Sequence, residues 1–169
     1  MSLNIPKLFE GAVAATLRAH CTNGVPRLRT WQAIDSDLSW TPTTDRVFPL
    51  FDIRCTPPVT NAEDGVTQMC NVAILIATNA NDDQEHKAIS SYYEDAQAVL
   101  DALYSQFLSD TVGAERTTFN AYMSNSQPDS VSKIAVGGFT HGDPLAPYED
   151  AGAYFIGLNF IIHFSRSDY

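Results

Sequence analysis

Apolar residues recur along this chain with two periods, and each change of period marks the edge of an element. Ile5, Leu8, Phe9, Ala12, Val13, Thr16 and Leu17 fall at three- and four-residue intervals, which predicts a helix over residues 5–20 with one buried face. Asn4 can cap it, Pro6 suits its first turn, and Asn23-Gly24 followed by Pro26 supplies the stop. From Arg27 to Thr44, Trp31, Ile34, Leu38 and Trp40 are loosely spaced among Asp and Ser, and the segment reads as a short strand and a mobile loop. The period then drops to two: Val47, Phe51, Ile53 and Cys55 alternate with Phe48, Asp52, Arg54 and Thr56, the pattern of a strand with one wetter face. Pro57-Pro58 ends it, Val59 to Gly65 is a polar turn, and a second strand is predicted from Val66 to about Thr78, closing a hairpin.

After the polar break Asn79–Asp83, Asp82 and Glu85 have the form of a capping box opening a long helix. Its buried stripe is Ile89, Tyr92, Ala96, Val99, Leu100, Leu103 and Phe107, ending near residue 108. A strand is expected near Thr117–Met123, a loop at Ser124–Ser130, and a strand from Val131 to Thr140 weakened at its end by Gly137-Gly138. Gly138 to Gly152 reads as a long hairpin loop with Asp143, Glu149 and Asp150 at its tip and flank. The last strand is the clearest, since Tyr154, Ile156, Leu158, Phe160, Ile162 and Phe164 are apolar at every even position. Phe155 and Ile161 make its other face half apolar, so a helix or a neighbouring subunit is expected there. Together these elements predict one α+β domain over residues 1–169: a mostly antiparallel sheet of about four to five strands with one long and one shorter helix on one face. Mobile loops are expected at 35–46, 57–65, 124–130 and 138–152.

Composition narrows the function more than the fold. With 169 residues there is room for one domain, and 18% charged residues is low for a surface facing only water, which leaves burial in an assembly and an ordinary monomer both open. The net charge of −10 repels phosphate backbones and argues against a grip on nucleic acid. Residues 1–54 hold six basic and five acidic side chains, while residues 55–169 hold four and fifteen, so the acidity is concentrated in the back part. Cys21, Cys55 and Cys70 are odd in number without CxxC spacing, which predicts reduced structural thiols. No stretch has the length and apolarity of a membrane span, so a soluble protein made in the cytosol is expected, without membrane contact.

Candidate chemistry is weak throughout. His20 beside Cys21, with His86, His141 and His163 elsewhere, lacks ligand spacing, and a helix-end histidine next to a structural cysteine explains the pair. Glu94, Asp95 and Asp101 lie on the solvated side of the long helix. Gly137-Gly138 to Gly142 is glycine-rich but runs toward another strand, whereas a phosphate cradle opens a helix. No catalytic, cofactor-binding or metal-ligating residue is assigned, and no enzymatic activity is expected.

The order helix, hairpin, long helix and strands ending in an apolar one resembles the tail terminator, or tail-completion, proteins of long-tailed bacteriophages. Leu8–Arg18, the hairpin Phe48–Thr78 with Pro57-Pro58, the helix Glu85–Leu108 and Tyr154–Phe164 carry the likeness, and the Arg27–Asp45 insert is longer than the family's pattern. The resemblance implies a structural virion protein, a homo-oligomeric ring of six at the head-proximal end of the tail tube. Its partners would be the tail-tube protein and the head or neck connector, and DNA would slide through an acidic lumen without stable binding. Val59–Gly65 and Gly138–Asp150 are the loops expected to make ring and tube contacts. Other neck or tail-tube subunits, and a small cytosolic enzyme or ligand-binding domain, stay open as alternatives.

Overall fold

In the computed structural model the described residues are 3–22, 24, 27–30, 49–79, 83–105, 113–127, 133–143, 145–150 and 152–167. They form helix α1 (Ile5–His20), strands β1 (Arg27–Thr30), β2 (Leu50–Cys55), β3 (Val59–Thr60) and β4 (Gln68–Asn79), helices α2 (Asp83–Ser105) and α3 (Ala114–Asn125), then strands β5 (Ile134–His141), β6 (Leu145–Asp150) and β7 (Ala153–Arg166). The fold is α+β. One seven-stranded sheet has the order β1-β2-β4-β7-β5, with β3 extending the β2 side of β4 and β6 extending the β5 side of β7. Every pairing is antiparallel except β1 with β2.

Helix α1 begins where Asn4 accepts a hydrogen bond from the Lys7 amide at 3.1 Å, and Pro6 sits in its first turn. Its buried face is the predicted one, joined by Glu10 and Ala14. Strand register explains the layering. Phe51, Ile53 and Cys55 of β2 stand opposite Ile76, Ile74 and Val72 of β4, which stand opposite Ile156, Leu158 and Phe160 of β7. These side chains share one face and form a continuous core with α1, α2 and α3. Phe9 meets Phe164 edge-on at 5.2 Å, and Phe119 meets Phe139 at 5.4 Å. The intervening residues form a second, smaller core on the opposite face, where Leu50, Ala77, Ala153 and Phe155 pack together. At this end the second face of β7 is buried too, with Ala153 and Phe155 each 1% exposed.

Three expectations are corrected. Thr117–Met123 is part of helix α3, not a strand, so three helices pack on the sheet where two were expected. Arg116, Phe119 and Met123 are its buried residues, at helical spacing, and a buried arginine hid the stripe. The Arg116 guanidinium lies 4.7 Å from the Phe139 ring centre and donates to the Val136 carbonyl at 3.5 Å, while burial pulls its pKa down to about 10. Gly138–Gly152 is not a long loop: β5 continues to His141, β6 follows after a short break, and only two residues join Asp150 to Ala153, with Gly152 at φ 76. Pro147 and the acidic residues hid β6, which tolerates them because among the described residues it pairs with β7 alone and its register breaks between Leu145 and Tyr148. The sheet accordingly has seven strands.

The segment 57–65 is not a featureless loop either, since it holds β3 and a hydrogen-bonded turn. Of 124–130, Ser124 and Asn125 end α3 and Ser126–Gln127 follow as a turn, while 128–130 lie outside the described residues. The loop expected at 35–46, the Asp82–Glu85 capping box and Phe107 also lie outside them.

Candidate functional site

The sheet face turned away from the helices changes character along its length. At the end holding Leu50, Ala77 and Phe155 it is apolar and buried. Toward the other end the same strands present Arg54, Asn71, Asn159, Ile161 and His163. There, a depression of ≈ 420 Å³ is lined by Arg54, Asn71, Asn159, Ile161, His141 and Asp143, among others. Its one strand-borne cation is already engaged: the Arg54 guanidinium lies 2.8 Å from Asp52 Oδ2, and its Nε donates to the same oxygen at 2.9 Å. The D-x-R spacing on a strand puts both side chains on one face, a signal visible in the sequence and passed over. His163 Nε2 and the Thr140 hydroxyl lie 3.0 Å apart across β5 and β7. Main chain closes the depression where the Gly142 amide donates to the Asn159 carbonyl at 3.0 Å.

The residues weighed for chemistry do not converge. His20 Nε2 lies 2.8 Å from the Thr118 hydroxyl and Nδ1 lies 3.9 Å from Glu115, which ties the end of α1 to α3. Burial, helped by Asp95, pushes the neighbouring Cys21 thiol up to about 11, so it stays protonated and weakly nucleophilic near neutral pH. Cys55 and Cys70 are free and buried under α1, and the Cys55 thiol is raised by its hydrogen bond with Cys70 and then by burial. Glu94 and Asp101 are exposed on α2, with Asp101 accepting from Gln97 at 2.7 Å, and Asp95 accepts from the Thr22 hydroxyl at 2.8 Å. Glycines 137 and 138 lie within β5 at a register shift, and the chain runs on from them as strand. His141 packs against Tyr104 of α2, ring centres 3.8 Å apart and planes tilted by 46°. Among the described residues, no group of three or more His, Cys, Asp or Glu is placed to hold a metal, and no helix is long and apolar enough to cross a membrane.

The arm formed by β3 and the start of β4 is exposed and hydrogen-bonded within itself. Asp64 accepts from the amides of Val66 and Thr67 at 2.9 Å each and from the Thr67 hydroxyl, and these bonds hold its pKa below the ordinary carboxylate value. Asn61 accepts from the Glu63 amide at 3.0 Å, and the Asn61 amide donates to the Thr67 carbonyl at 2.7 Å. The turn is thus shaped from within and carries two apolar side chains into solvent, Val59 at 57% exposure and Val66 at 65%. Tyr148 of β6 is the third large exposed apolar residue, stacked on Phe155 at 4.9 Å. Val59 and Tyr148 thus place exposed apolar groups in both segments expected to make contacts. No family model matches the chain, and no curated protein matches it.

Proposed function

We propose that this chain is a structural virion protein, a tail terminator that forms a ring at the head-proximal end of a phage tail tube and joins tail to head. The observation that carries the reading is the pair of unlike sheet edges. Strand β1 bounds one side and β5 with β6 the other, and among the described residues neither has a partner on its outer side. Their pairings make β1 run opposite to β5 and β6, so the edges of successive copies meet in antiparallel sense. A head-to-tail contact between different patches is heterologous, and it closes into a ring when the rotation per copy divides the circle. The element order by which the sequence resembles terminators, the net charge of −10 and the lack of converging catalytic groups among the described residues support a scaffold through which DNA passes without sticking. Its place would be the virion, after synthesis in the host cytoplasm.

Light scattering across protein concentration, with negative-stain images, tests the proposal. The expected result is a closed ring of about 111 kDa, six chains of 18.5 kDa each. Open filaments would assign the chain to the tail tube instead, because a terminator must present an unmatched top face. A compact monomer that binds a small metabolite in the open-face depression would overturn the structural reading.

A further inference from the structure

The exposed arm and one corner of the sheet are complementary in a way that a single chain cannot satisfy. Thr60, Gln68, Phe164 and Val136 lie in one cross-strand row, so the arm and the start of β5 flank the same end of the sheet with β4 and β7 between them. Three inter-strand steps separate them by about 14 Å. The arm ends in Glu63 and Asp64, beside the exposed Val59 and Val66. The corner presents Lys133, with the exposed, small Ala135 and Gly137 behind it. Among the described residues neither Glu63 nor Lys133 has an ion-pair partner within the chain. Both are held on fixed backbone: the Glu63 amide donates to Asn61, the Lys133 amide donates to the Ser167 hydroxyl at 2.8 Å, and the Ser167 amide donates back to the Lys133 carbonyl at 3.0 Å.

We infer that the turn Asn61–Thr67 of one copy docks against the Lys133–Gly137 corner of a second copy, with Glu63 facing Lys133 and Val59 and Val66 covering Ala135 and Gly137. The occupant is another copy of this chain because the two patches match in charge, polarity and position at one end of one sheet. The rest of the same edge, with Asp143 before β6 and Glu149 within it, would repel the acidic turn, so the charges choose the corner. Arm and corner lie at opposite edges of the sheet, which lets the contact repeat head-to-tail, the sense it takes from the ring reading above on which it rests. Exposed ion pairs contribute little affinity, and here they set the register while the valines supply the buried surface.

The test uses the full chain. Glu63→Lys and Lys133→Glu are each expected to weaken self-association about fivefold, and the double reversal to restore it. In a mixture of isotopically light and heavy protein, a carbodiimide should join Glu63 to Lys133 in light–heavy pairs. Val66→Asp, at an exposed site that leaves the fold intact, should also lower the assembled fraction. Rings that form but ignore all three variants, or that lack the Glu63–Lys133 cross-link, overturn this contact and leave the ring reading standing. Filaments that obey the charge swap uphold the contact and overturn the terminator reading. A chain that stays monomeric at every concentration overturns both.

Discussion

The two faces of the central strands differ more than their shared backbone would suggest. On β7, Phe160, Ile162 and Phe164 are sealed under the helices, while Asn159, Ile161 and His163, one position away in each case, line a polar, open surface. The same holds for β2, where Ile53 is fully buried and Arg54 lies half-exposed beside Asp52. Alternation alone accounts for the sidedness. It does not account for the gradient along the far face, which is apolar at Leu50, Ala77 and Phe155 and polar at Arg54, Asn71 and Asn159. Stability is thus concentrated on the helix side and at one end of the other side, and the remaining surface is free for contacts.

Paired substitutions test that contrast. Phe160→Ala removes a fully buried ring and should cost about 3–5 kcal/mol in urea unfolding, whereas Asn71→Ala, exposed on the neighbouring strand, should stay within about 0.5 kcal/mol. Equal losses would mean that the open face is covered in the native protein. Gly157 marks the apolar end of that face: a Cβ there would stand 2.5 Å from Leu145 Cδ1 and 3.1 Å from Leu75 Cδ2. Gly157→Val should therefore cost about 1–3 kcal/mol, while Gly137→Ala, with only the His163 carbonyl 3.8 Å away, should be close to neutral.

On the helix side, Glu10 is fully buried on α1 and accepts from the Cys55 amide at 2.9 Å. Glu10→Ala strands that donor and should cost about 1–3 kcal/mol, with Glu10→Gln recovering most of it; equal melting temperatures for the two variants would mean the bond contributes nothing. The smallest effect is expected at Cys21. Burial, with Asp95 nearby, pushes its thiol from the ordinary 9.0 up to about 11, so the folded state holds the proton more tightly. Stability should be unaffected below pH 9 and should fall as pH rises from 9 toward 11, and Cys21→Ala should flatten that part of the curve. An unchanged slope would mean the thiol titrates alike in both states.

Much of this architecture is readable from periodicity. The face of α1, the stripe of α2 from Ile89 to Leu103 and the even-numbered face of β7 follow from local spacing, because a long amphipathic element writes its own pattern. The α+β class follows from those elements and the hairpin between them. Helix α3 and strand β6 did not follow. Arg116 breaks the apolar stripe of α3, and Thr117 and Thr118, β-branched residues that favour strands, bond their hydroxyls back to the Gly113 and Ala114 carbonyls in the helix. Pro147 is tolerated in β6 only because one side of the strand has no partner among the described residues, a condition set by sheet order rather than by the segment.

The same division runs through the candidate site. That Val59–Gly65 would form a polar turn between two strands was legible in its composition. That Asp64 shapes it, that Val59 and Val66 point into solvent, and that Lys133 stands at the same end of the sheet depend on pairings between residues far apart in sequence. Local pattern encodes which face of an element is apolar, whereas the neighbour that each face and edge receives is set by long-range register, where no single segment holds the information.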